Sequence, residues 1–234
     1  MKWGVLAVAL AASAISASAA CARPPVVVEL FTAQGCSSCD KADAYVARQA
    51  DDNGVIALTY SVDYWDYLGW KDTFAKPDFA DRQRAYARRL GVAEVYTPQV
   101  IVDGRVQTAA VQGGDVDRLI RAARRERPDP PEMRRRRDNR LAVGSGPRPK
   151  GGAEVWLVRF DPRQQEVEVK DGDNRGKTVT ERNVVAEIAR LGAWSGKPVL
   201  LKIPPASQDG LEEVFLLQGR DGGRILGDLR GEAP

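Results

Sequence analysis

A run of apolar residues that ends just before two spaced cysteines constrains the fold of this chain more than any other feature. Residues 25–31 read PVVVELF, which is typical of a strand buried on both faces at the centre of a sheet. After a turn at 32–35 come Cys36-Ser37-Ser38-Cys39 and then residues that favour a helix from Cys36 to about Ala50. A C-x-x-C motif placed between a strand and a helix indicates a redox-active dithiol.

Strands and helices alternate through the rest of the first half. The predicted elements are a strand at 55–62, a helix at 77–90, strands at 99–102 and 105–108, and a helix from Asp115 to about Arg125. Asp103-Gly104 predicts a tight hairpin between the last two strands. The order β-α-β-α-β-β-α predicts an α/β, thioredoxin-like fold for residues 21–126.

The remainder of the chain predicts a linker and a second, smaller domain. Residues 127–152 are rich in Pro, Arg and Gly, and we interpret the arginine run at 134–137 as part of a solvated linker rather than a polyanion-binding surface. Residues 153–234 predict a β-rich C-terminal domain. Its predicted elements are strands at 153–160, 165–170, 198–203 and 212–218 and a short helix at 180–191.

Residues 1–20 have the three parts of a bacterial export signal in the required order. Lys2 is followed by the apolar stretch 5–15 and by the small-residue cleavage site Ala17-Ser18-Ala19. We therefore expect a periplasmic or secreted protein, without a transmembrane span, in an oxidising compartment. Cys21 then lies at the cleavage boundary, where we favour a free thiol over a lipid anchor.

The absence of histidine excludes several classes of enzyme and metal site. With no His and 3 Cys, the chain can form neither a Ser-His-Asp triad, nor a His-ligated metal site, nor a closed four-thiolate zinc site. We predict no metal and no cofactor. The net charge of 35 − 32 = +3 is too small for a dedicated nucleic-acid-binding protein, so no nucleic acid is expected as a partner.

Two pairs of residues carry the predicted chemistry. Cys36 at the helix N-terminus would be the attacking thiolate, because unpaired N–H groups and the helix dipole stabilise its charge. Cys39 would be the resolving thiol, and the two cysteines would form a disulfide when oxidised. Thr97-Pro98 precedes the third strand, where a thioredoxin-like fold has a cis-proline facing the dithiol, and it would bind an extended substrate segment.

The segment 60–70 is rich in aromatic residues. It has 5 of them, with Asp63 and Asp66 in between. It leaves the end of the second strand, where open α/β sheets bind ligands, and would bring Trp65 and Asp63 to the substrate. The alternative is a packed cap over the edge of the sheet.

At these residues the chain resembles an exported thioredoxin-like family catalogued as domain of unknown function 1223. The matching stretches are 29–39, 62–72, Arg82-Gln83 with Tyr86, 95–104 and, more weakly, 173–176 and 183–192. The resemblance implies a thioredoxin-like fold with a C-terminal appendage and no established activity. Asp40-Lys41 stands where two prolines usually follow the second cysteine of the family, and Ser61 stands where a histidine is common.

Two functions are open on the sequence alone. The first is an exported thiol–disulfide oxidoreductase that acts on a protein or small-molecule thiol or disulfide. The second is a non-catalytic binding or assembly protein in which the same two cysteines form a structural disulfide. A reduction potential of about −120 to −270 mV would favour the first function, and a much lower potential would favour the second.

Overall fold

The order of strands and helices in the first half agrees with the order predicted from the sequence. The computed structural model describes residues 24–109, 112–126 and 129–231. Its first elements are β1 (Val26–Thr32), α1 (Asp40–Gln49), β2 (Val55–Ser61), α2 (Pro77–Leu90), β3 (Gln99–Val102), β4 (Val106–Thr108) and α3 (Gly113–Glu126). A short 3-10 turn at Asp66–Leu68 lies between β2 and α2. Pro77 opens α2, and Gly91 ends it with a φ of 68°, a left-handed conformation that favours glycine.

The second half consists mainly of strands. They are β5 (Met133–Arg136), β6 (Arg140–Val143), β7 (Ala153–Asp161), β8 (Gln165–Glu168), β9 (Thr178–Glu181), β10 (Val184–Trp194), β11 (Val199–Lys202), β12 (Glu212–Gly219) and β13 (Ile225–Arg230). Within the described ranges, no helix is long and apolar enough to cross a membrane. The predicted export signal at 1–20 and Cys21 lie outside the described residues.

One mixed sheet runs through both halves of the chain, in the order β13-β12-β7-β10-β2-β1-β3-β4. β1 and β2 pair in parallel, and their last residues, Thr32 and Ser61, lie beside each other at the end where the cysteine motif follows. β3 pairs antiparallel with β1, whereas β10 pairs in parallel with β2 at Val184 and Thr59. Strands from the predicted C-terminal domain therefore extend the first sheet, and the boundary between the two domains stays a prediction.

Helices cover the two faces of the sheet around β1. All seven residues of β1 are buried, as its almost wholly apolar sequence predicts, and Glu29 is the charged residue among them. On one face Val28 shares a core with Val46 of α1 and Ile120 of α3. On the other face Phe31 packs with residues of α2, including Tyr86, whose ring centroid is 6.2 Å from that of Phe31.

The segment 127–152, predicted as a linker, contains a hairpin. β5 and β6 pair with each other, and β11 joins β6 to complete a three-stranded sheet. This small sheet packs on β7 and β12, with Leu141 and Phe215 in the shared core. Arg135 forms an ion pair with Glu213 at 2.6 Å, while the arginines on either side of it are exposed. Because exposed arginines alternate with half-buried residues in β5, its composition resembles that of a solvated segment. Composition alone therefore did not reveal this strand.

The helix predicted at 180–191 is wrong, because this stretch contains the end of β9 and most of β10. β10 pairs with β7 along its length, with bulges between Val185 and Glu187 and between Arg190 and Gly192. A bulge adds one residue and so changes the face to which the following side chains point. Val185 and Ile188 consequently contact the same core although they are three residues apart. The bulges thus reproduce the spacing of apolar residues on a helix.

Candidate functional site

The two cysteines of the motif are joined by a disulfide in the turn between β1 and α1. The S–S distance is 2.12 Å and the Cα–Cα distance is 5.5 Å. Main-chain hydrogen bonds run from Cys36 N to Ala33 O (2.9 Å) and from Cys39 N to Cys36 O (3.2 Å). Because these residues form a turn, α1 begins at Asp40 with Cys39 as its N-cap, one turn later than predicted. The disulfide therefore lies at the positive end of the helix dipole.

Both cysteines are buried, although the two residues between them are not. Cys36 and Cys39 are each 1% exposed, whereas Ser37 and Ser38 are exposed to solvent. The sulfur of Cys36 lies 3.5 Å from the hydroxyl oxygen of Ser38. A large substrate can therefore reach the dithiol only if the chain around it moves.

The Thr97–Pro98 peptide bond is cis, as predicted, and it directly precedes β3. Trp65 Nε1 donates a hydrogen bond to Thr97 Oγ1 at 2.8 Å. Trp65 also packs against the buried cluster that contains Cys36 and Cys39. Trp65 thus connects the cis-proline loop to the buried cluster that contains the two cysteines.

Asp63 is the predicted site residue that the structure does not join to the others. It is half-buried, and its main-chain oxygen accepts a hydrogen bond from Asp66 N at 3.1 Å. Within the described part of the chain, no hydrogen bond or ion pair connects its carboxylate to the dithiol or to Thr97. Its role in substrate binding stays a prediction.

The aromatic segment packs closely against its surroundings. Tyr64 donates a hydrogen bond to Gln83 Oε1 (3.1 Å), and Trp70 Nε1 donates one to Gln34 Oε1 (2.9 Å). Tyr67, by contrast, is 79% exposed. Most of the segment therefore has the contacts of a packed cap, the alternative to a substrate wall.

A hairpin from the second half of the chain contacts the sequence on both sides of the dithiol. It runs from Gln165 to Glu181 and consists of β8, β9 and the loop between them; we call it the flanking hairpin. In its loop the buried Asn174 donates a hydrogen bond from Nδ2 to the main-chain oxygen of Gln34, two residues before Cys36, at 2.8 Å. Its second strand, β9, packs against α1.

Three carboxyl groups are buried around this contact. Asp43, Asp72 and Glu181 are 4%, 5% and 2% exposed. The carboxylate of Asp72 accepts hydrogen bonds from three main-chain N–H groups, including that of Gln34 at 2.7 Å. In the described part of the chain, by contrast, the carboxyl oxygens of Asp43 and Glu181 have no hydrogen-bond partner.

Burial raises the pKa of all three carboxyl groups. It raises the pKa of Asp43 to about 8, and Asp40 and Asp72 add to the rise. The Thr32 hydroxyl, which forms no hydrogen bond of regular geometry with Asp43, offsets part of it. Burial, together with Asp43 and Asp72, raises the pKa of Glu181 well above its usual range. For Asp72 burial outweighs the main-chain hydrogen bonds, and the pKa rises to about 6. At pH 7 Asp43 therefore holds a proton, whereas Asp72 is mostly ionised.

None of these three acids is predicted from the sequence, although the sequence contains a signal for one of them. Asp43 is four residues after Cys39, so the two side chains lie on the same face of α1. Glu181 comes from the stretch predicted as a helix, and no local pattern could place it beside α1. In the ranges that the structure describes, no group of three or more Cys, Asp or Glu side chains is arranged to hold a metal ion.

Comparisons with known proteins place the chain in a family but give no activity. The sequence model of a family described as protein of unknown function (DUF1223) matches residues 27–218. The crystal structure of protein AGR_C_4864 from Agrobacterium tumefaciens is similar with a TM-score of 0.70 and 32% sequence identity, covering 89% of this chain and 94% of that chain. HBP35 of Porphyromonas gingivalis has a TM-score of 0.58 at 14% identity, covering 90% of this chain and 75% of that chain, a similarity of fold alone. No functionally curated protein matches the chain.

Proposed function

The chain belongs to the DUF1223 family of proteins of unknown function, and we propose that it is an exported thiol–disulfide oxidoreductase with a thioredoxin-like core. The observation that carries this proposal is the disulfide between Cys36 and Cys39 at the N-cap of α1. The first N–H groups of a helix have no partner within the helix, and with the helix dipole they stabilise a nearby thiolate. A stabilised thiolate is what thiol–disulfide exchange at neutral pH requires.

The arrangement around the disulfide supports a thioredoxin-like core. Its elements follow the order β1-α1-β2-α2-β3-β4-α3, and the corresponding part of the sheet has the order β2-β1-β3-β4. The dithiol turn follows β1, and the cis Thr97–Pro98 bond precedes β3, the strand that pairs with β1. The motif and the proline are therefore on neighbouring strands.

The proposed reaction has two exchange steps. In the reduced protein the Cys36 thiolate attacks one sulfur of a substrate disulfide, a mixed disulfide forms, and the other substrate sulfur leaves as a thiolate. The Cys39 thiolate then attacks the Cys36 sulfur, and the first substrate sulfur leaves in turn. The protein loses two electrons and the substrate gains them. Run in reverse, the same steps oxidise a substrate dithiol.

Thr97 and Pro98 are the proposed substrate cradle. An extended segment of a protein substrate would lie beside Thr97 and pair with its main chain as an added strand. The hydrogen bond from Trp65 fixes the Thr97 side chain, so Trp65 would position the cradle rather than react. The proposed substrate is a protein or small-molecule thiol or disulfide, and neither a cofactor nor a metal takes part.

A specific observation favours the second function, a non-catalytic binding or assembly protein. Cys36 and Cys39 are each 1% exposed, and the aromatic segment packs as a cap beside them. A disulfide enclosed in this way would serve as a structural link between β1 and α1. The two functions differ in one property, the reactivity of Cys36.

Alkylation of the reduced protein across pH tests the proposed function. The rate of Cys36 alkylation by iodoacetamide should follow a pKa below the free-thiol value of about 8.5. Matched variants divide the roles: Cys39→Ser should trap a mixed disulfide with oxidised glutathione at Cys36, and Cys36→Ser should trap much less. A Cys36 pKa near 8.5, together with equal trapping in the two variants, would instead support the structural role.

Export is the second part of the proposal. It rests on the order of charge, apolar stretch and small residues within positions 1–20. The mass of the protein recovered from the periplasm or medium of a bacterial host should correspond to a chain that begins at Cys21. A full-length chain confined to the cytoplasm would contradict this part alone.

A further inference from the structure

Two carboxyl groups that form no hydrogen bond in the described part of the chain lie where the flanking hairpin packs against α1. Asp43 belongs to α1 and Glu181 to β9, and both side chains are almost fully buried without a hydrogen-bond partner among the described residues. A protonated carboxyl group can be buried at moderate cost, but two ionised ones cannot, because each loses its hydration and repels the other. The contact between hairpin and helix is therefore sensitive to protonation.

The charged groups around Asp43 and Glu181 do not stabilise a negative charge on either carboxyl group. The charged groups that act on the two are Asp40, on the same helix as Asp43, and Asp72, from the loop after β2, and both are acidic. The ends of β1 and β2 present the hydroxyl groups of Thr32 and Ser61, which have no regular hydrogen-bond partner in the described part of the chain, and that of Thr32 offsets only part of the effect of burial on Asp43.

The basic side chains at this end of the hairpin are engaged elsewhere. Lys177 Nζ lies 3.0 Å from Asn174 Oδ1 within the hairpin loop. Arg182 Nη1 forms an ion pair with Asp51 Oδ1 at 2.8 Å, beyond the end of α1. Among the described residues, no cation therefore acts on a negative charge at Asp43 or Glu181.

We propose that the flanking hairpin is a pH-dependent cover of the dithiol, held against α1 while Asp43 or Glu181 is protonated and released when both ionise. Release hydrates the two carboxylates. It also breaks the contact of Asn174 with the turn before Cys36, so the chain on both sides of the dithiol becomes free to move. The assignment of the cover to a redox site rests on the proposed function, whereas the movement of the hairpin does not.

The expected size of the effect follows from proton linkage. Where opening releases one proton, the opening equilibrium constant rises about tenfold for each pH unit. Burial keeps the pKa of Asp43 raised to about 8 in the closed state, so this dependence should extend through pH 6–8. Opening should thus be up to about 100-fold more frequent at pH 8 than at pH 6.

Amide hydrogen exchange on the oxidised full chain tests the movement. The informative group is the side-chain amide of Asn174, whose Nδ2 donates the hydrogen bond to the main-chain oxygen of Gln34 (2.8 Å) that release would break. This hairpin protection, normalised to the intrinsic exchange rate, should fall about tenfold per pH unit from pH 6 to 8, while that of β12 stays constant. In the double variant Asp43→Asn/Glu181→Gln, hairpin protection should not change with pH.

Two results would overturn the movement. One is hairpin protection in the natural chain that stays constant with pH, and the other is the same fall in the double variant. The comparison of hairpin with β12 is made within one sample of the natural chain, so the test holds even if the double variant folds poorly.

Reduction of the Cys36–Cys39 disulfide by tris(2-carboxyethyl)phosphine tests the covering role. The ratio of the reduction rate in the natural chain to that in the double variant cancels the titration of the phosphine. This ratio should rise by up to about 100-fold between pH 6 and 8. If the hairpin moves with pH but this ratio stays constant, the proposal that the hairpin covers the dithiol is wrong. If the proposed oxidoreductase activity is wrong, the pKa of Cys36 should lie near the free-thiol value. The hydrogen exchange of the hairpin and the ratio of reduction rates should still change with pH as described.

Discussion

The buried carboxyl group of Asp43 should make the folded protein less stable as the pH rises. Burial raises its pKa to about 8 in the folded chain, against about 3.9 in an unfolded chain. Between these values the folded state holds a proton that the unfolded state has lost. The stabilisation is therefore complete below about pH 4 and is lost as the pH rises to about 8.

The magnitude follows from the shift. One pH unit across this range corresponds to about 1.4 kcal/mol, so the rise from pH 5 to 8 corresponds to about 4 kcal/mol. This value is a ceiling, because opening of the flanking hairpin hydrates the carboxylate at a lower cost. Asp43→Asn removes the titration. The free energy of unfolding of the variant, relative to the natural chain, should therefore increase by about 2–4 kcal/mol from pH 5 to 8.

Urea unfolding at pH 5, 6, 7 and 8, with the disulfide intact, measures this difference. Asp78→Asn is the matched control, since Asp78 is an exposed acid in the first turn of another helix, α2. The control should differ from the natural chain by less than about 0.5 kcal/mol at every pH. A difference for Asp43→Asn that stays constant with pH, or that shifts in favour of the natural chain, would refute the reasoning.

Three further predictions concern contacts that hold the site, each read from urea unfolding. Arg82→Met removes one partner of the buried ion pair with Glu29 (2.7 Å) and should lower the free energy of unfolding by about 3–5 kcal/mol; a loss under about 1 kcal/mol would contradict the burial. Trp65→Phe loses the hydrogen bond to Thr97 and should lower the free energy of unfolding by about 1 kcal/mol. A double-mutant cycle with Thr97→Val should give a coupling energy of the same size. Asn174→Ala leaves a buried carbonyl unpaired and should cost about 1–3 kcal/mol, so an unchanged midpoint would argue against that contact.

Local sequence signals located most of the first half. Residues 99–102 form the predicted strand β3, and α2 begins at Pro77 and ends before Gly91 as predicted. The hairpin at Asp103-Gly104 forms with φ values of 49° and 61°, which Asp and Gly tolerate. In these cases the residues that set the backbone conformation are neighbours in sequence.

The sequence failed where packing partners are far apart in the chain. The bulges of β10 are fixed by its pairing with β7, and they hide the alternation that identifies a strand. Asn174 and Glu181 contact the dithiol region from the opposite half of the chain, and no pattern within their own segment predicts that contact. The cysteine motif and the cis-proline could therefore be predicted from the sequence, but the hairpin that flanks them could not.

The reduction potential of the Cys36–Cys39 disulfide tests the proposed function most directly. It can be measured by equilibrating the protein in glutathione redox buffers and quantifying the reduced fraction by thiol labelling. An oxidoreductase predicts a potential of about −120 to −270 mV, within the range of known exchange proteins. A potential below about −300 mV, typical of structural disulfides in secreted proteins, would contradict the proposed activity.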